Sequence, residues 1–490
     1  MEDENRQTEY EDQATILPAE VAYGYPAIGD YALIGDCRTA ALVSNSGSID
    51  WLCFPNFSGP SVFAALLDTW QGGRFVIRPS IPFRVSRRYV GDSNVLETTF
   101  DTERGQLRVT DAMSVVTDSE DPGYAKPQRE LLRVIDGVDG RVPIEILYEP
   151  RPDYARQFPR LRRRGAMGWS CEFGHELLHL HSSVPVEFET HALRGWCEIA
   201  AGERQYLSLT YVKSDVAVIP PLGKEADHRL QASIDWWQQW ADRCPYDGPY
   251  QSAVMRSLLL IKMLTYALSG AVVAAPSTSL PERIGGQLNW DYRYCWIRDA
   301  SLTLRAFLDL DYRIEGEAFL GWLLNTTQLT RPALQVLYDV YGETRIPEIE
   351  LNHLQGYRNS RPVRVGNQAA DQKQLDIYGE LTLAAYDFVQ RGGQLDRYEQ
   401  RMLVGFGQWV CDHWSEPDQG IWERRGPPRH TTLSKAMCWV SLDRLLKLNE
   451  QNVIRKMPVQ RFKDTMARIC EDVEGNGFNP SLNSYVAAYG

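Results

Sequence analysis

The 490-residue sequence lacks the features that mark secreted and membrane proteins. Its N-terminus, MEDENRQTEYEDQATILPAE, is acidic and has no apolar run, so a secretory signal peptide is not predicted. No apolar stretch reaches the roughly 20 residues of a membrane-spanning helix. The longest candidate, SLLLIKMLTYALSGAVVAA, is interrupted by Lys262, Tyr266 and Gly270. We therefore expect no membrane partner.

Regularly spaced cysteines and an excess of positive charge are also missing. Nine cysteines, an odd number without regular spacing, indicate free buried thiols in a reducing compartment, so a cytoplasmic location is expected. The formal net charge of -12 is spread along the chain, which argues against a nucleic-acid partner.

The sequence contains no phosphate-binding glycine loop, no Ser–His–Asp elbow and no zinc-like cysteine pairs. His175, His179 and His181 cluster in HELLHLHSS, but this segment lies among predicted strands and carries no Glu–His zinc signature. We interpret these side chains as surface imidazoles. Neither a metal site nor a cofactor is expected.

Aromatic residues, in contrast, are abundant. Fourteen Trp and 24 Tyr most often indicate core, but they also slightly favour a carbohydrate-binding cleft, where aromatic faces line the site. The length predicts two domains or three.

The pattern of the chain changes once, from extended runs to helical periodicity. Residues 1–24 are predicted to be an acidic flexible tail, and residues 25–220 a β-sandwich of short strands punctuated by Gly, Asp, Asn and Pro. RELLRVIDG (129–137) and RVPIEILYEP (141–150) are two of those strands. Residues 221–248 form a helical linker.

Residues 249–490 are predicted to form a helical domain, because apolar residues recur there at three- and four-residue spacing. Helices are predicted near 250–270, 297–311, 315–328, 375–392, 397–414, 432–450 and 458–473. Long loops, 271–296 and 329–374, carry Trp, Tyr, Arg, Asp and His and suit a binding surface. The fold class is thus α+β, a β-sandwich followed by an α/α toroid.

The stretch NWDYRYCWIRDAS (289–301) places Arg298 and Asp299 beside several aromatic residues at the start of a predicted helix. One interpretation is structural, with Asp299 capping the helix next to a solvated Arg. The other is functional, because a guanidinium and a carboxylate supply fixed donors and acceptors for sugar hydroxyls, and Trp supplies an apolar wall. The spacing alone leaves both open.

The stretch DQGIWERRGPPRHTTLSK (418–435) places Glu423 directly after Trp422, in a loop between two predicted helices. A glycosidase needs a carboxylic acid that stays protonated near neutral pH, and an apolar neighbour such as Trp422 favours that form. Arg424 and Arg425 would act in the opposite direction. From spacing alone, a solvated loop Glu is the more common interpretation.

Four segments together resemble bacterial members of glycoside hydrolase family 15, the glucoamylase, glucodextranase and trehalase-like family. They are SGSIDWLCFPNFSGPSVFAALLD (46–68), NWDYRYCWIRDAS (289–301), PVRVGNQAADQKQLDIYGE (362–380) and GIWERRGPPRHTTLSKAMCWVSLDR (420–444). The resemblance runs from about Ile28 to the last residue. It implies an N-terminal β-sandwich, an (α/α)6 toroid, and hydrolysis of α-glucosidic bonds with inversion and without a cofactor.

The resemblance also implies roles for individual residues. Glu423 would be the general acid, while Trp296, Arg298, Asp299 and Trp422 would bind the terminal glucose. A second group would reach the cleft less directly: Gln372, Gln374, Asp376, Trp290 and Asp291. Glu348 and Glu350, in the loop that also holds His353, are reserve candidates for contacting substrate.

The sequence departs from the family pattern in three places. Asn56 and Ser58 stand where relatives more often have Arg and Asp, and Thr432 and Leu433 alter the segment after the acid. The family's general base lies far C-terminal, and we find no counterpart in this chain. About seven barrel helices are predicted where the toroid needs twelve, so we expect the domain to be incomplete at its C-terminus.

Two functions of different classes follow. The first is an inverting, exo-acting α-glucoside hydrolase that releases glucose from α-1,4-linked oligosaccharides or from trehalose. The second is a catalytically silent or fragmentary homologue that binds sugar or needs a second chain to supply the base. Because an incomplete toroid would leave apolar helix faces uncovered, self-association or a complementing chain is also expected.

Overall fold

The computed structural model describes residues 12–18, 24–116, 126–213 and 219–490. Strands dominate up to residue 213 and helices dominate from residue 224, so the predicted order of a sheet-rich domain followed by a helical domain is confirmed. One apolar core fills the sheet-rich part, and a second lies among the helices.

Among the described residues of the first part, sixteen segments are strands. They are β1 (Asp12–Ile16), β2 (Tyr31–Gly35), β3 (Ala40–Ser44), β4 (Ser48–Cys53), β5 (Ser61–Phe63), β6 (Arg74–Pro79), β7 (Phe83–Tyr89), β8 (Leu96–Thr102), β9 (Gly105–Val116), β10 (Lys126–Glu149), β11 (Arg160–Arg163), β12 (Trp169–Phe173), β13 (Glu176–Ser182), β14 (Glu187–Glu189), β15 (Ala192–Ala200) and β16 (Arg204–Lys213). All paired strands are antiparallel. One sheet has the order β1-β7-β8-β9-β10-β16-β13-β12-β11, and a second is built from β2 to β6 with β14 and β15.

Strand β10 joins the two sheets, and it corrects the sequence prediction of two strands, 129–137 and 141–150. Its first half pairs with β9 and β16, and its second half pairs with β15 and β6. Gly137, the last residue of the first predicted run, borders an irregularity in the β9 pairing, and Gly140, just after it, has φ +64°. Because both halves find partners, the strand bends between the sheets instead of ending.

The predicted N-terminal tail is partly wrong. Residues 12–16 form strand β1, which pairs with β7 through Asp12 opposite Val85 and Ile16 opposite Phe83. Most of the remaining tail, residues 1–11 and 19–23, lies outside the described residues.

In residues 219–490, all of which the structure describes, eight longer helices follow: α1 (Lys224–Ala241), α2 (Gln251–Met263), α3 (Ile297–Asp309), α4 (Arg313–Thr326), α5 (Asp376–Gln390), α6 (Arg397–His413), α7 (Thr432–Glu450) and α8 (Val459–Asp472). Helix α1 corresponds to the predicted linker, and its Ser233 hydroxyl bonds to the backbone of Val115 in β9. The other seven overlap the seven predicted segments, but α2 ends at Met263, whereas the prediction continued to residue 270.

Helices α3, α5 and α7 pack side by side, while α4, α6 and α8 pack outside them. At Gly379 of α5 an added Cβ would lie 2.3 Å from the backbone oxygen of Met437 in α7, so glycine allows the close approach of these two helices. Since each inner helix is followed by an outer helix that returns the chain, the inner helices begin at the same end of the domain. The candidate active site lies at this end.

The two long loops are more ordered than predicted. They contain three pairs of short strands: β17 (Thr278–Pro281) with β18 (Asn289–Asp291), β19 (Cys295–Trp296) with β20 (Leu337–Tyr338), and β21 (Ile349–Glu350) with β22 (Arg364–Val365). A fourth pair, β23 (Phe478–Asn479) with β24 (Ser484–Tyr485), follows the last helix. Single turns of helix complete the description: Ile28–Asp30, Pro152–Ala155, Gly165–Met167, Thr327–Leu329, Tyr357–Asn359, Gln368–Asp371 and Val473–Gly477. In the described ranges, no helix is long and apolar enough to cross a membrane.

Candidate active site

The first group of site residues lies where β19 passes into α3. Trp296 ends β19, which pairs with β20, and its side chain is only 2% exposed. Arg298 and Asp299 follow in the first turn of α3, with Arg298 Nη2 2.9 Å from Asp299 Oδ2. This contact is an ion pair without hydrogen-bond alignment. Asp299 does lie in the first turn of α3, but the expected solvated Arg is wrong, because Arg298 contacts both Asp299 and Glu423.

The second group lies in the loop between α6 and α7, which Asp418 anchors. The Asp418 carboxylate accepts hydrogen bonds from Thr431 Oγ1 (2.7 Å), from Ser434 Oγ (2.6 Å) and from the Leu375 N–H (3.0 Å). Its backbone exchanges two hydrogen bonds with Arg429. One buried carboxylate thus fixes both ends of the loop against the starts of α5 and α7.

Glu423 is the point where these two groups meet. Trp296 Nε1 donates a 2.7 Å hydrogen bond to Glu423 Oε1, and both terminal nitrogens of Arg298 lie 3.4 Å from the same oxygen. Arg298 Nη1 also donates to the Ile421 carbonyl at 3.1 Å. Glu423 has φ +50°, a conformation that non-glycine residues seldom adopt and that often marks functional positions.

Burial raises the pKa of Glu423 above its ordinary value. The Arg298 guanidinium and the Trp296 hydrogen bond act in the opposite direction, and the neighbouring Asp299 carboxylate adds to the increase. The net effect favours the protonated acid. A carboxyl group in this state can give a proton to a leaving oxygen.

The prediction that Trp422 is the apolar neighbour that raises the pKa of Glu423 is wrong. The Trp422 side chain is 81% exposed and therefore contributes little to the burial of Glu423. The indole that contacts the acid is Trp296. The cation beside the acid is likewise Arg298, whereas Arg425 pairs with Glu348 at 2.8 Å.

The segment before α5 supports the acid from its backbone side. Gln372 Nε2 donates a 3.1 Å hydrogen bond to the Glu423 carbonyl. The side-chain oxygen of Gln372, Oε1, accepts a 3.3 Å hydrogen bond from Gln374 Nε2. Gln374 is 2% exposed, so it reaches the acid only through Gln372. Asp376 is fully buried, and burial and then Asp418 raise its pKa to about 7 against the opposing effect of Arg298.

Asp291, which was predicted to reach the cleft, instead pairs with a buried arginine. It is fully buried and forms a two-point ion pair with Arg293, with distances of 2.8 and 2.7 Å. Arg293 Nη1 donates to the Gly59 carbonyl of the sheet-rich domain at 2.9 Å. The pair therefore holds the NWDYRYCWIRDAS segment against that domain and offers no carboxylate oxygen to a substrate.

Trp290 and the two reserve acids form a separate surface cluster. The guanidinium carbons of Arg364 and Arg425 lie 4.5 and 4.3 Å from the Trp290 ring centroid. Glu348 pairs with both arginines, and Glu350 lies 3.6 Å from Arg364. Glu348 therefore has a structural role, as the ion-pair partner of Arg364 and Arg425.

The remaining candidates have structural contacts. His353 bonds to the Tyr154 carbonyl, and Ser58 donates to Asn56 in the loop that meets Arg293. Thr432 donates to the Val486 carbonyl, while Leu433 is 41% exposed.

The interpretation of three surface imidazoles is wrong for His179. His179 is 3% exposed in β13, and burial lowers its pKa to about 4. Within the described ranges, no group of three or more His, Cys, Asp or Glu side chains is arranged to hold a metal ion.

Sequence reasoning missed two contributors. Tyr292 lies 5.9 Å from Trp296 between ring centroids, and its position in the aromatic run 289–296 was the available signal. The anchor Asp418 was missed altogether; its position before a Gly-containing turn, with Ser and Thr at the next helix start, could have indicated it.

A sheet-rich domain followed by paired helices, with a half-buried acid held by an indole and a guanidinium, defines a glycosidase-type protein. The profile of Glycosyl hydrolases family 15 matches residues 248–490, and that of the trehalase-like N-terminal domain matches residues 23–188. The chain belongs to glycosyl hydrolase family 15, and it is a glycoside hydrolase.

Several relatives match along most of the chain. A trehalase of Mycolicibacterium smegmatis is 35% identical over 477 residues, which cover 92% of this chain and 70% of that protein. A trehalase of Thermoplasma volcanium is 33% identical and covers 95% of this chain and 74% of its own length. Trehalase 1 of Sulfolobus acidocaldarius is 36% identical, with 89% and 73% covered.

Proposed function

We propose that this protein hydrolyses trehalose and that Glu423 is the general acid. The observation that carries the assignment of the acid is the hydrogen bond from Trp296 to a half-buried Glu423 carboxyl whose pKa is raised. Three relatives named trehalase and the trehalase-like N-terminal profile support the choice of trehalose over α-1,4-linked oligosaccharides.

In the proposed reaction, protonated Glu423 gives its proton to the glycosidic oxygen as the bond from that oxygen to the anomeric carbon breaks. Water attacks the anomeric carbon from the opposite face and loses a proton to a general base. Arg298, which contacts both Glu423 and Asp299, orients the acid and presents fixed donors to the sugar. Trp422, exposed beside the acid, supplies an apolar wall.

Asp299 is not proposed as the base. Arg298 Nη2 contacts one oxygen of Asp299 and one of Glu423, so these oxygens are separated by no more than roughly 6.3 Å, the sum of the two distances. Inverting glycosidases keep their carboxyl groups about 6.5–9.5 Å apart to leave room for water. We assign no residue of this chain to the base.

The proton NMR spectrum of the first products tests the proposal. Inversion at one anomeric carbon of α,α-trehalose yields one β-glucose, while the leaving glucose keeps its α configuration. We expect equal α and β signals at early times, with turnover of maltose and maltotriose far slower. Only α-glucose would contradict inversion, and a preference for maltotriose would contradict the substrate.

A further inference from the structure

The exposed tip of the loop that carries Glu423 is attached to the rest of the protein by one side chain. Residues 424–428 form this tip, and all of them are exposed. Of these five residues, which the structure describes throughout, Arg425 alone has a side chain that forms an ion pair or a hydrogen bond. On the backbone side, the Glu423 carbonyl accepts from Gln372 Nε2 at 3.1 Å. The position of the tip therefore depends on Arg425 and Gln372.

The contacts of Arg425 form a closed set. Nη2 donates to Glu348 Oε2 and Nη1 donates to Gln368 Oε1, each at 2.8 Å. The Gln368 backbone N–H donates to the same Glu348 oxygen at 3.1 Å. The Arg425 guanidinium carbon also lies 4.3 Å from the ring centroid of Trp290, a distance at which a cation and an indole attract each other. Glu348 thus fixes the guanidinium both directly and through Gln368.

Glu348 is itself held on an ordered frame. It directly precedes β21, which pairs with β22. Glu348 Oε1 lies 3.3 Å from Arg364 Nε in β22, and Arg364 Nη1 donates to the Asn289 carbonyl at 3.2 Å. The N–H of Gly366, the residue after β22, donates to the buried Asp291 at 3.0 Å. The side of the Glu348–Arg425 contact that belongs to the frame is therefore fixed, and the loop tip is attached to it.

The geometry of Glu423 makes this attachment important for the acid. Its φ of +50° is a strained backbone conformation, which persists only where the surroundings hold it. Its Oε1 accepts the 2.7 Å hydrogen bond from Trp296 Nε1, and Arg425 follows only two residues later in the chain. A displacement of about 1 Å in an active site can lower the rate roughly 100-fold. A loop tip that is free to move would thus affect the acid.

We propose that Glu348 is a positioning residue for the acid. Through Arg425 it holds the loop tip, so that Glu423 keeps its hydrogen bond to Trp296. Glu348 acts through Arg425 and is not assigned a contact with the sugar. This role rests on the proposed function of Glu423 as the general acid.

The indole N–H signal of Trp296, in protein labelled with 15N-tryptophan, tests this role without substrate. Trp296→Phe assigns the signal among the 14 tryptophans, and its proton shift reports the hydrogen bond to Glu423. Glu348→Ala and Arg425→Ala should each move the signal upfield. Glu343→Ala, at an exposed acid of the same long loop, is the matched control and should leave it in place. A signal unmoved in either of the first two variants, or moved equally in the control, would overturn the proposal.

Kinetics on trehalose separate positioning of the acid from stability of the fold. In Glu348→Ala and Arg425→Ala, assayed well below their unfolding temperatures, kcat should fall roughly tenfold while KM changes less than about threefold. The reason is that Arg298 and Asp299, the proposed sugar contacts, are retained. A purely structural role would leave kcat per folded molecule unchanged, and that result would overturn the proposal.

The combined variant Glu348→Ala/Arg425→Ala tests the route from Glu348 to the acid. Because Glu348 acts through Arg425, the double variant should lose no more of kcat than Arg425→Ala alone, roughly tenfold. Two independent effects would multiply to roughly 100-fold and would contradict this route. A parent protein inactive on trehalose would contradict the proposed function instead, and the Trp296 signal would still decide the role of Glu348.

Discussion

The buried carboxyl of Asp376 makes a quantitative prediction about stability. Asp376 begins α5 and is fully buried, and neither of its oxygens has a hydrogen-bond partner in the described part of the chain. Burial, followed by the nearby Asp418, raises its pKa from 3.8 to about 7, while Arg298 opposes the increase. The folded protein therefore holds a proton that the unfolded chain releases between these two values.

The sign and size of the effect follow by linkage. A raised carboxyl pKa contributes stability that is complete below pH 3.8 and is lost as pH rises through the folded value near 7. The shift of about three pKa units corresponds to roughly 4 kcal/mol, at about 1.4 kcal/mol per unit. Because the folded pKa is near 7, about two of those three pKa units lie within the range from pH 5 to pH 8. Asp376→Asn removes this dependence and should be relatively more stable at pH 8, by roughly 2–3 kcal/mol.

Urea unfolding at pH 5 and pH 8 measures the effect. The free energy of unfolding of Asp376→Asn minus that of the parent should rise between the two pH values by the amount above. Asp235→Asn, on the exposed face of α1, is the matched control and should show no such change. A difference that stays constant within about 0.5 kcal/mol for Asp376→Asn would refute the reasoning, because the native carboxyl would then not be protonated.

Three further predictions concern the site and its support. Arg298→Gln removes the cation that lowers the pKa of Glu423, so the alkaline limb of the pH profile of kcat/KM should move to higher pH; an unmoved limb would contradict this role. Trp296→Phe removes the 2.7 Å hydrogen bond to the acid and should lower kcat roughly tenfold with little change in KM, whereas a change in KM alone would indicate substrate binding instead. Asp291→Asn leaves Arg293 buried without its charge partner and should lower the free energy of unfolding by about 3–5 kcal/mol, with a loss under 1 kcal/mol counting against the ion pair.

Local patterns predicted much of the fold. Three- and four-residue periodicity located α2 to α8, because each helix buries one face against its neighbours. The extended runs correctly placed a strand-rich part of the chain before the helical part. The division of residues 126–149 into two strands failed because pairing with other strands, which is not local, keeps β10 extended through its glycines.

The same contrast between local patterns and non-local contacts explains which features of the candidate site could be predicted. The resemblance brought together Trp296, Arg298, Asp299 and Glu423, and these four side chains do meet. It could not predict which indole contacts the acid, because Trp422, the neighbour in sequence, is 81% exposed, while Trp296, 127 residues away in the sequence, donates the hydrogen bond. Asp291 likewise belongs to the same motif as Arg298, yet its contacts are with a buried arginine that reaches the other domain.

The central claim is that Glu423 protonates the leaving oxygen of trehalose. The most direct measurement is glucose release from trehalose by the purified chain, beside Glu423→Gln and the control Glu416→Gln, a partly exposed acid of the same loop. We predict release by the parent and by the control, and a loss of at least 100-fold in kcat for Glu423→Gln. Equal release by all three proteins would contradict the assignment of Glu423, and no release by any of them would contradict the proposed activity of this chain.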